Sequence, residues 1–244
     1  MSWLGLLLVG LGLTDLAHSV ASVHRRAWLP ETIGAMAVAV LGLLGALFGY
    51  DLIAWVLIAA VVVAWGRLAH GPDDVHPAWP LALLGSALAL GVLLSPLAGG
   101  LDGPAADWLD NTPWGWLARA RPDTALVVLG GLLVQLSTGN VVVRLVLRAT
   151  HSVNPAPGHD ATTRLKGGRL LGPMERMVIL GLGLAGQVTA ASLVIAAKGL
   201  IRWPELQSFR QAEEGPSINE VTEYFLVGSF VSWLVSLGTL VLVA

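Results

Sequence analysis

The feature that most constrains this chain is a series of apolar segments, each close to the length needed to cross a lipid bilayer. Of the 244 residues, 55% are hydrophobic and only 12% are charged; an ordinary soluble domain has about 25% charged residues. A helix rises about 1.5 Å per residue, so about 20 apolar residues cross a hydrocarbon layer of roughly 30 Å. Such a helix satisfies its own backbone hydrogen bonds in lipid. The sequence therefore predicts membrane-spanning helices.

Seven segments meet this length test to varying degrees. The predicted spans cover residues 3–23, 32–49, 52–68, 78–97, 124–147, 173–197 and 221–243. We predict an all-α fold, a polytopic transmembrane helix bundle in a single domain, 1–244, with four spans in 1–99 and three in 124–244. The second and third spans are the shortest, and one bent or re-entrant unit is the alternative interpretation of that pair.

The segment between the fourth and fifth spans, 100–123, mixes three tryptophans with acids and two arginines. That composition favours an amphipathic segment lying in the outer membrane interface. A lid over a pocket is the alternative. The polar segment 150–168 is rich in Pro, Gly, Ser and Thr, which predicts a solvated linker.

Lysines and arginines near the span ends predict the orientation. Nine of the 14 flank the first, third and fifth loops between spans, and five flank the others. Because cytoplasmic loops carry the excess of these residues, we predict a multi-pass protein of the cell membrane with its N-terminus outside and its C-terminus in the cytoplasm.

Charge and cysteine content limit the partners and cofactors. The formal net charge is -2 and there is no cysteine, so the chain has no strong basic field for nucleic acid and no thiolate for metal or redox chemistry. We expect no nucleic acid, no cofactor and no metal. The expected partners are membrane lipids, and a second copy of the chain or another membrane protein.

Five ionisable residues are predicted to form one polar cluster. Asp15 and His18 lie one turn apart on the same face of the first span and are the deepest titratable residues in the chain. A charge at the bilayer centre costs at least about 2.5 kcal/mol, which makes such residues functional candidates. The pair could relay protons, help ligate a metal or hydrogen-bond to a neighbouring helix. Arg144, Glu175 and Arg176 share the cytoplasmic half in the predicted topology, so the five are interpreted as one cluster.

A second set of polar residues is predicted to join helices. Gln135 and Asn140 lie within the fifth span and Gln187 lies within the sixth, where side-chain amides commonly hydrogen-bond between helices. Lys198 ends the sixth span and is predicted to form an ion pair with Glu223 of the seventh, on the outer side.

Glycine patterns in the chain are interpreted as packing surface. Gly181, Gly183 and Gly186 match G-x-G-x-x-G, but a dinucleotide site needs a strand before the first glycine. These glycines lie inside an apolar span, so the match is interpreted as accidental and the glycines as a smooth helix face. Gly45 and Gly49 form a small-xxx-small pair, which predicts close helix packing.

The C-terminal third resembles a bacterial membrane family known as domain of unknown function 3307. That family shows a glycine-led "LER", a glutamine within the helix, "AKS" plus arginine, and "EYxLxGTxxS". Here the serine is replaced by Gly199 and the threonine by Ser229, and Asp15 precedes His18 where the family has histidine before aspartate. The matching positions are Gly172, Glu175, Arg176, Gln187, Ala197, Lys198, Arg202, Glu223, Tyr224, Gly228 and Ser232. The resemblance implies a helical membrane protein and brings no established activity.

Three functions follow from these observations. An accessory or scaffold protein that acts through helix contacts is favoured, because the sequence carries no catalytic motif. The first alternative is a lipid-headgroup-binding protein or an intramembrane enzyme, with Asp15, His18 and Glu175 in acid–base roles and the arginines binding phosphate. The second alternative is a transporter of ions or small solutes, for which an inverted repeat would be expected.

Overall fold

The computed structural model describes residues 1–20, 28–71, 75–115, 119–150, 168–210 and 218–243. Within these ranges the chain is helical and contains no strand, which confirms the all-α prediction. The helices are α1 (Ser2–Ser19), α2 (Leu29–Leu44), α3 (Asp51–Ala69), α4 (Ala78–Leu93), α5 (Pro104–Asp110), α6 (Pro122–Leu136), α7 (Thr138–Ala149), α8 (Gly168–Leu184), α9 (Val188–Arg210) and α10 (Ile218–Val243). A single 3₁₀ turn, Ser95–Leu97, follows α4.

The helices form two compact units, 1–138 and 139–242. Their boundary falls in the middle of the predicted fifth span. The polar segment 151–167 lies outside the described residues. The assignment of the whole chain to one membrane domain stays a prediction.

Helix α1 is the centre of the first unit. It contacts α2, α3, α4 and α6, and five of its seven leucines and its valine are almost completely buried. Trp3 of α1 lies beside Asp51 at the start of α3, and Asp15 lies beside Trp65 near the end of α3. The two helices therefore run in the same direction. Helix α2 runs in the opposite direction, as expected for consecutive helices joined by short turns.

Glycines bring the backbones of α1 and its neighbours into close contact. A Cβ at Gly34 of α2 would lie 2.7 Å from the carbonyl oxygen of Gly10 and would overlap the Thr14 hydroxyl, and a Cβ at Gly130 of α6 would lie 3.0 Å from the backbone nitrogen of Val9. Only glycine leaves room for such backbone approach, and small residues serve the same purpose in membrane helix packing.

The pair Gly45 and Gly49 does not pack helices, contrary to the prediction. Helix α2 ends at Leu44, and both glycines belong to the turn that follows it. Gly49 has a positive φ of 75° and open space around it, so its role is to allow the turn rather than close contact.

Helix α10, in the second unit, buries small polar side chains and exposes large apolar ones, the reverse of a helix in a soluble protein. Four small hydroxyl side chains recur at intervals of three or four residues and are buried: Ser229, Ser232, Ser236 and Thr239. The opposite face exposes large apolar side chains at the same interval: Leu226, Phe230, Leu234, Leu237 and Val241. A helix of a soluble protein turns its apolar face inward, so this pattern is the one expected of a helix surrounded by lipid.

Two described helices are long and apolar enough to cross a membrane. They are Asp51–Ala69 and Thr222–Val243, with mean hydropathies of 2.2 and 2.1. Helices α6 and α7 pass the same test together as one broken span. Length and composition thus support two membrane spans, or three if α6 and α7 together form one broken span. Helices α2 and α4 and residues 188–197 are also apolar, but they are shorter.

Two predicted spans are broken in the structure. The fifth is interrupted at Ser137, where the backbone leaves the helical region (φ -126°, ψ -67°). The sixth ends at Leu184 and restarts at Val188. At the second break Gly186 has φ 73°, its N–H donates to the Gly183 carbonyl, and the Gln187 N–H donates to the Leu182 carbonyl. These paired bonds form a Schellman motif, which requires a residue with positive φ.

Candidate functional site: two buried polar groups

The five residues predicted to form one cluster are distributed over both units. Asp15 and His18 belong to the first, whereas Arg144, Glu175 and Arg176 belong to the second. Within each unit a polar group forms around one fully buried charge. Convergence of all five on one site stays a prediction.

The first polar group is built around the carboxylate of Asp15, whose side chain is 0% exposed. The Trp65 indole N–H lies 3.1 Å from each carboxylate oxygen. The His70 Nε2 lies 3.6 Å from Oδ1. Since a buried carboxylate without partners is strongly disfavoured, the indole and imidazole explain how α1 accommodates this acid.

His70 continues the group towards a second acid. Its ring stacks on that of His18 with centroids 3.9 Å apart and an interplanar angle of 6°. On the far side, His18 Nε2 lies 3.6 Å from Oε1 of Glu31. Four side chains from α1, α2 and the end of α3 thus follow one another in the order Asp15, His70, His18, Glu31; we refer to them as the acid–histidine row.

The direction of the helices explains why these residues meet. The C-terminal ends of α1 and α3 and the N-terminal end of α2 lie at the same end of the first unit. His70 immediately follows α3, and Glu31 lies in the first turn of α2, where the helix dipole favours a negative charge. The sequence analysis missed Glu31, Trp65 and His70 because they lie at or beyond the edges of apolar spans. Because consecutive spans alternate in direction, the end of the first span, the start of the second and the end of the third lie on the same side of the membrane. That pattern could have indicated that these residues meet.

The row suits proton binding better than metal binding. Within the described residues no group of three or more His, Asp or Glu side chains is placed to hold a metal ion. Parallel imidazole rings also direct their in-plane nitrogen lone pairs side by side rather than towards a common point. His18 and His70 keep 17% and 15% of their side-chain surface exposed, although His18 Nε2 and His70 Nδ1 are themselves buried; both carboxylates are buried as well.

The second polar group is built around the guanidinium of Arg176, a residue that is 1% exposed. Its Nη2 donates to Oδ1 of Asn140 over 2.8 Å, and its Nη1 donates to the Ser232 hydroxyl over 3.1 Å. Arg176 thereby joins α8 to α7 and α10. Planar guanidinium groups suit this role because they donate in several fixed directions at once.

Two glycines give the guanidinium its space. A Cβ at Gly139 would lie 2.6 Å from Nε, and one at Gly172 would lie 3.5 Å from Nη1. The carboxylate of Glu175 is close enough to act on Arg176 electrostatically. Arg144, which the sequence analysis placed in the same cluster, has an exposed side chain.

The predicted interhelical contacts have mixed outcomes. Asn140 hydrogen-bonds to another helix through Arg176, as predicted, and Gln135 is fully buried. Gln187 is exposed and lies in the turn after α8, so its predicted position within a helix is wrong, and its interhelical hydrogen bond stays a prediction. Glu223 is exposed on α10, and the side chain of Lys198 lies outside the described part, so their ion pair stays a prediction.

The glycine pattern also has a structural explanation. Gly183 packs against Leu240 of α10, as predicted for a packing glycine, whereas Gly181 faces open space. Gly186 provides the positive φ that ends α8. The segment before these glycines is helical, so the arrangement of a dinucleotide-binding site is not present at this motif.

Comparison with protein-family models, curated proteins and solved structures gave no match.

Proposed function

We propose that the protein is a multi-pass membrane protein that acts as an accessory or scaffold subunit through its helix surfaces. The supporting observation is that buried charges are paired within each unit while the outward helix faces are apolar. Asp15 is held by Trp65 and His70, and Arg176 by Asn140 and Ser232. A protein built in this way presents helix surfaces, rather than its deepest ionisable groups, to other molecules.

The inverted pattern of α10 supports the membrane part of this proposal. Large apolar side chains on its exposed face are stable in contact with lipid tails, whereas water would disfavour them by about 25 cal/mol per Å². We propose seven spans with the acid–histidine row at the cytoplasmic end. Membership of the C-terminal third in domain of unknown function 3307 is part of this proposal.

Native mass spectrometry of gently solubilised protein tests the scaffold role. We expect the chain to retain a second copy, a partner chain or bound lipid, because its exposed helix faces need apolar contacts. A bare monomer under several mild detergents would contradict the proposal. A double variant of the exposed α10 face, Leu226→Ala with Phe230→Ala, compared with Leu52→Ala on α3, would identify whether α10 provides the contact.

A second candidate function is acid–base chemistry or headgroup binding at the acid–histidine row. It is favoured by the partial exposure of His18 and His70 beside two buried carboxylates. Titrating phosphatidylethanolamine or phosphatidylglycerol into the solubilised protein, with histidine resonances as the readout, distinguishes the two functions. A saturable change that His18→Phe abolishes would favour headgroup binding; an unchanged spectrum would favour the scaffold.

A further inference from the structure

The acid–histidine row contains more ionisable groups than a helix contact requires. Asp15 and Glu31 place two carboxylates at its ends, with side-chain exposures of 0% and 7%. If both imidazoles were neutral and both acids ionised, the row would hold two buried negative charges and no positive one. Each imidazole Nε2 lies 3.6 Å from one of these carboxylates, so a proton taken up by either ring would form a charged pair with a buried acid.

Glu31 gives independent support for proton uptake. Its Oε2 atom is buried and has no hydrogen-bond partner among the described residues. A buried carboxylate oxygen that accepts no hydrogen bond carries a desolvation cost without compensation. A positive charge on the neighbouring His18 ring would reduce that cost.

Among the described residues, the elements packed against the row add few charged groups; residues 21–27 and 72–74 lie outside the described part. Helix α1 contributes Asp15 and His18, α2 contributes Glu31, and His70 at the end of α3 completes the row. Arg67 of α3 is exposed. The described residues that α6 places at this end, Gln135 to Ser137, are uncharged, and α4 begins with Ala78 and Trp79. His76, before α4, accepts a hydrogen bond from the Ala78 N–H through its Nδ1.

We propose that the acid–histidine row is a proton-binding site that exchanges protons with water through His18 and His70. A proton leaves water or buffer and binds an imidazole nitrogen, and the facing carboxylate stabilises the resulting cation. No other bond forms or breaks. The first proton reduces the net charge of the row from two negative charges to one, and the second brings it to zero.

The stacked geometry makes the two uptake events unequal. Once one ring is protonated, a second proton would create another positive ring with its centroid 3.9 Å away. Like charges at this distance repel strongly in a poorly solvated site, whereas each cation also gains a carboxylate 3.6 Å away. The row therefore takes up its two protons at different pH values. Neither step can be assigned to one histidine alone, because the two rings interact.

Trp65 provides a reporter for this site, because its indole N–H donates to Asp15. In protein labelled with ¹⁵N-tryptophan and held in nanodiscs, we expect the Trp65 indole resonance to move with pH between about 5 and 8, the range in which histidine changes charge. The resonance is identified by its loss in Trp65→Phe. His70→Phe keeps a ring stacked on His18 but removes the titrating nitrogen next to Asp15, and should abolish the movement.

His76→Phe is the matched control, since His76 is exposed and lies outside the row; the movement should persist in that variant. A Trp65 resonance that stays fixed from pH 5 to 8 in the unmodified protein would overturn the proposal. So would an unchanged titration in His70→Phe.

A second measurement covers the case in which a variant does not fold. The ring ¹³C resonances of His18 and His70 in the unmodified protein should move in two resolved steps, with both rings sensing both steps. Two independent single-step curves would contradict a shared site. His18→Phe, if folded, should leave one single-step curve for His70, and a persistent two-step curve would contradict the pairing.

Discussion

At the scale of single residues, the molecule accommodates buried charge by giving it several partners. Asp15 faces an indole and an imidazole, and Arg176 faces an amide and a hydroxyl. A hydrogen bond to a charged group contributes about 1.5 to 3 kcal/mol, and a partner left unsatisfied costs a similar amount. The stability of each unit should therefore depend strongly on these two residues.

Removing the carboxylate of Asp15 tests this dependence in the first unit. Asp15→Ala leaves the buried Trp65 N–H without its acceptor, and we expect a loss of about 1 to 3 kcal/mol in the free energy of unfolding. The measurement is denaturation in detergent, followed by circular dichroism. Asp110→Ala, at an exposed acid of the same unit, should change stability by less than about 0.5 kcal/mol. Equal effects of the two substitutions would contradict the proposed role.

Replacing the guanidinium of Arg176 tests the second unit. Arg176→Lys keeps the charge but loses the fixed directions that reach Asn140 and Ser232 together, and we expect the melting temperature to fall clearly. Arg144→Lys changes an exposed cation on α7 in the same way and should have little effect. If Arg176→Lys melted like the unmodified protein, the joining of α7, α8 and α10 by Arg176 would be wrong.

At the scale of helices, composition predicted the elements but not where they break. The run of apolar residues from 173 to 197 predicts one span, yet Gly186 adopts a positive φ and the chain forms a Schellman motif there. Hydropathy does not reveal this break, because glycine is also frequent inside uninterrupted membrane helices. At Ser137, similarly, the hydroxyl donates to the Gly12 and Leu133 carbonyls, so a contact with α1 accompanies the break.

The acid–histidine row was predictable only in part, for a related reason. Asp15 and His18 were identified because they interrupt an apolar run. Glu31 and His70 lie where polar residues are ordinary, at span edges, and only the directions of α1, α2 and α3 bring them together. Local sequence patterns do not contain that long-range information, whereas the short connections between these helices restrict their possible arrangements.

The close approach of α1 and α2 is open to a direct test. Gly34→Ala places a Cβ 2.7 Å from the Gly10 carbonyl oxygen and against Thr14, so the helices must separate, at a cost of about 1 to 3 kcal/mol. Gly85→Ala in α4 meets open space and should be neutral or stabilising by up to about 1 kcal/mol. Thermal melting of both variants in one detergent is the measurement. A stabilising effect of Gly34→Ala would contradict the described contact.

Because α10 buries its polar face, substitutions on its two faces should affect stability in the opposite order from those in a helix of a soluble protein. Ser236 is 0% exposed among its neighbours, so Ser236→Leu should overpack the buried stripe and lower the free energy of unfolding by about 1 to 3 kcal/mol. Leu234→Ser, on the exposed face, removes no internal contact of comparable size and should leave the melting temperature in detergent nearly unchanged. The reverse order of these effects would show that α10 buries its apolar face.

At the scale of the whole molecule, the distribution of side chains is the one expected of helices surrounded by lipid. Polar side chains face inward in α10, and both described polar groups are enclosed within their units. The apolar surface outside is then ordinary for a membrane protein, whereas in water it would be an aggregation hazard. We therefore propose that the exposed faces of these helices contact lipid, with the acid–histidine row at the cytoplasmic end.

Cysteine labelling tests this contact with lipid, because the chain has no cysteine of its own. Leu234→Cys, Gly100→Cys and Ser19→Cys each place one thiol at an exposed position, and a membrane-impermeant maleimide is applied to spheroplasts. We predict rapid labelling at Gly100→Cys, labelling at Ser19→Cys only after permeabilisation, and labelling at Leu234→Cys only after detergent dissolves the membrane. Labelling of Leu234→Cys in intact spheroplasts as fast as Gly100→Cys would contradict the proposed contact of α10 with lipid.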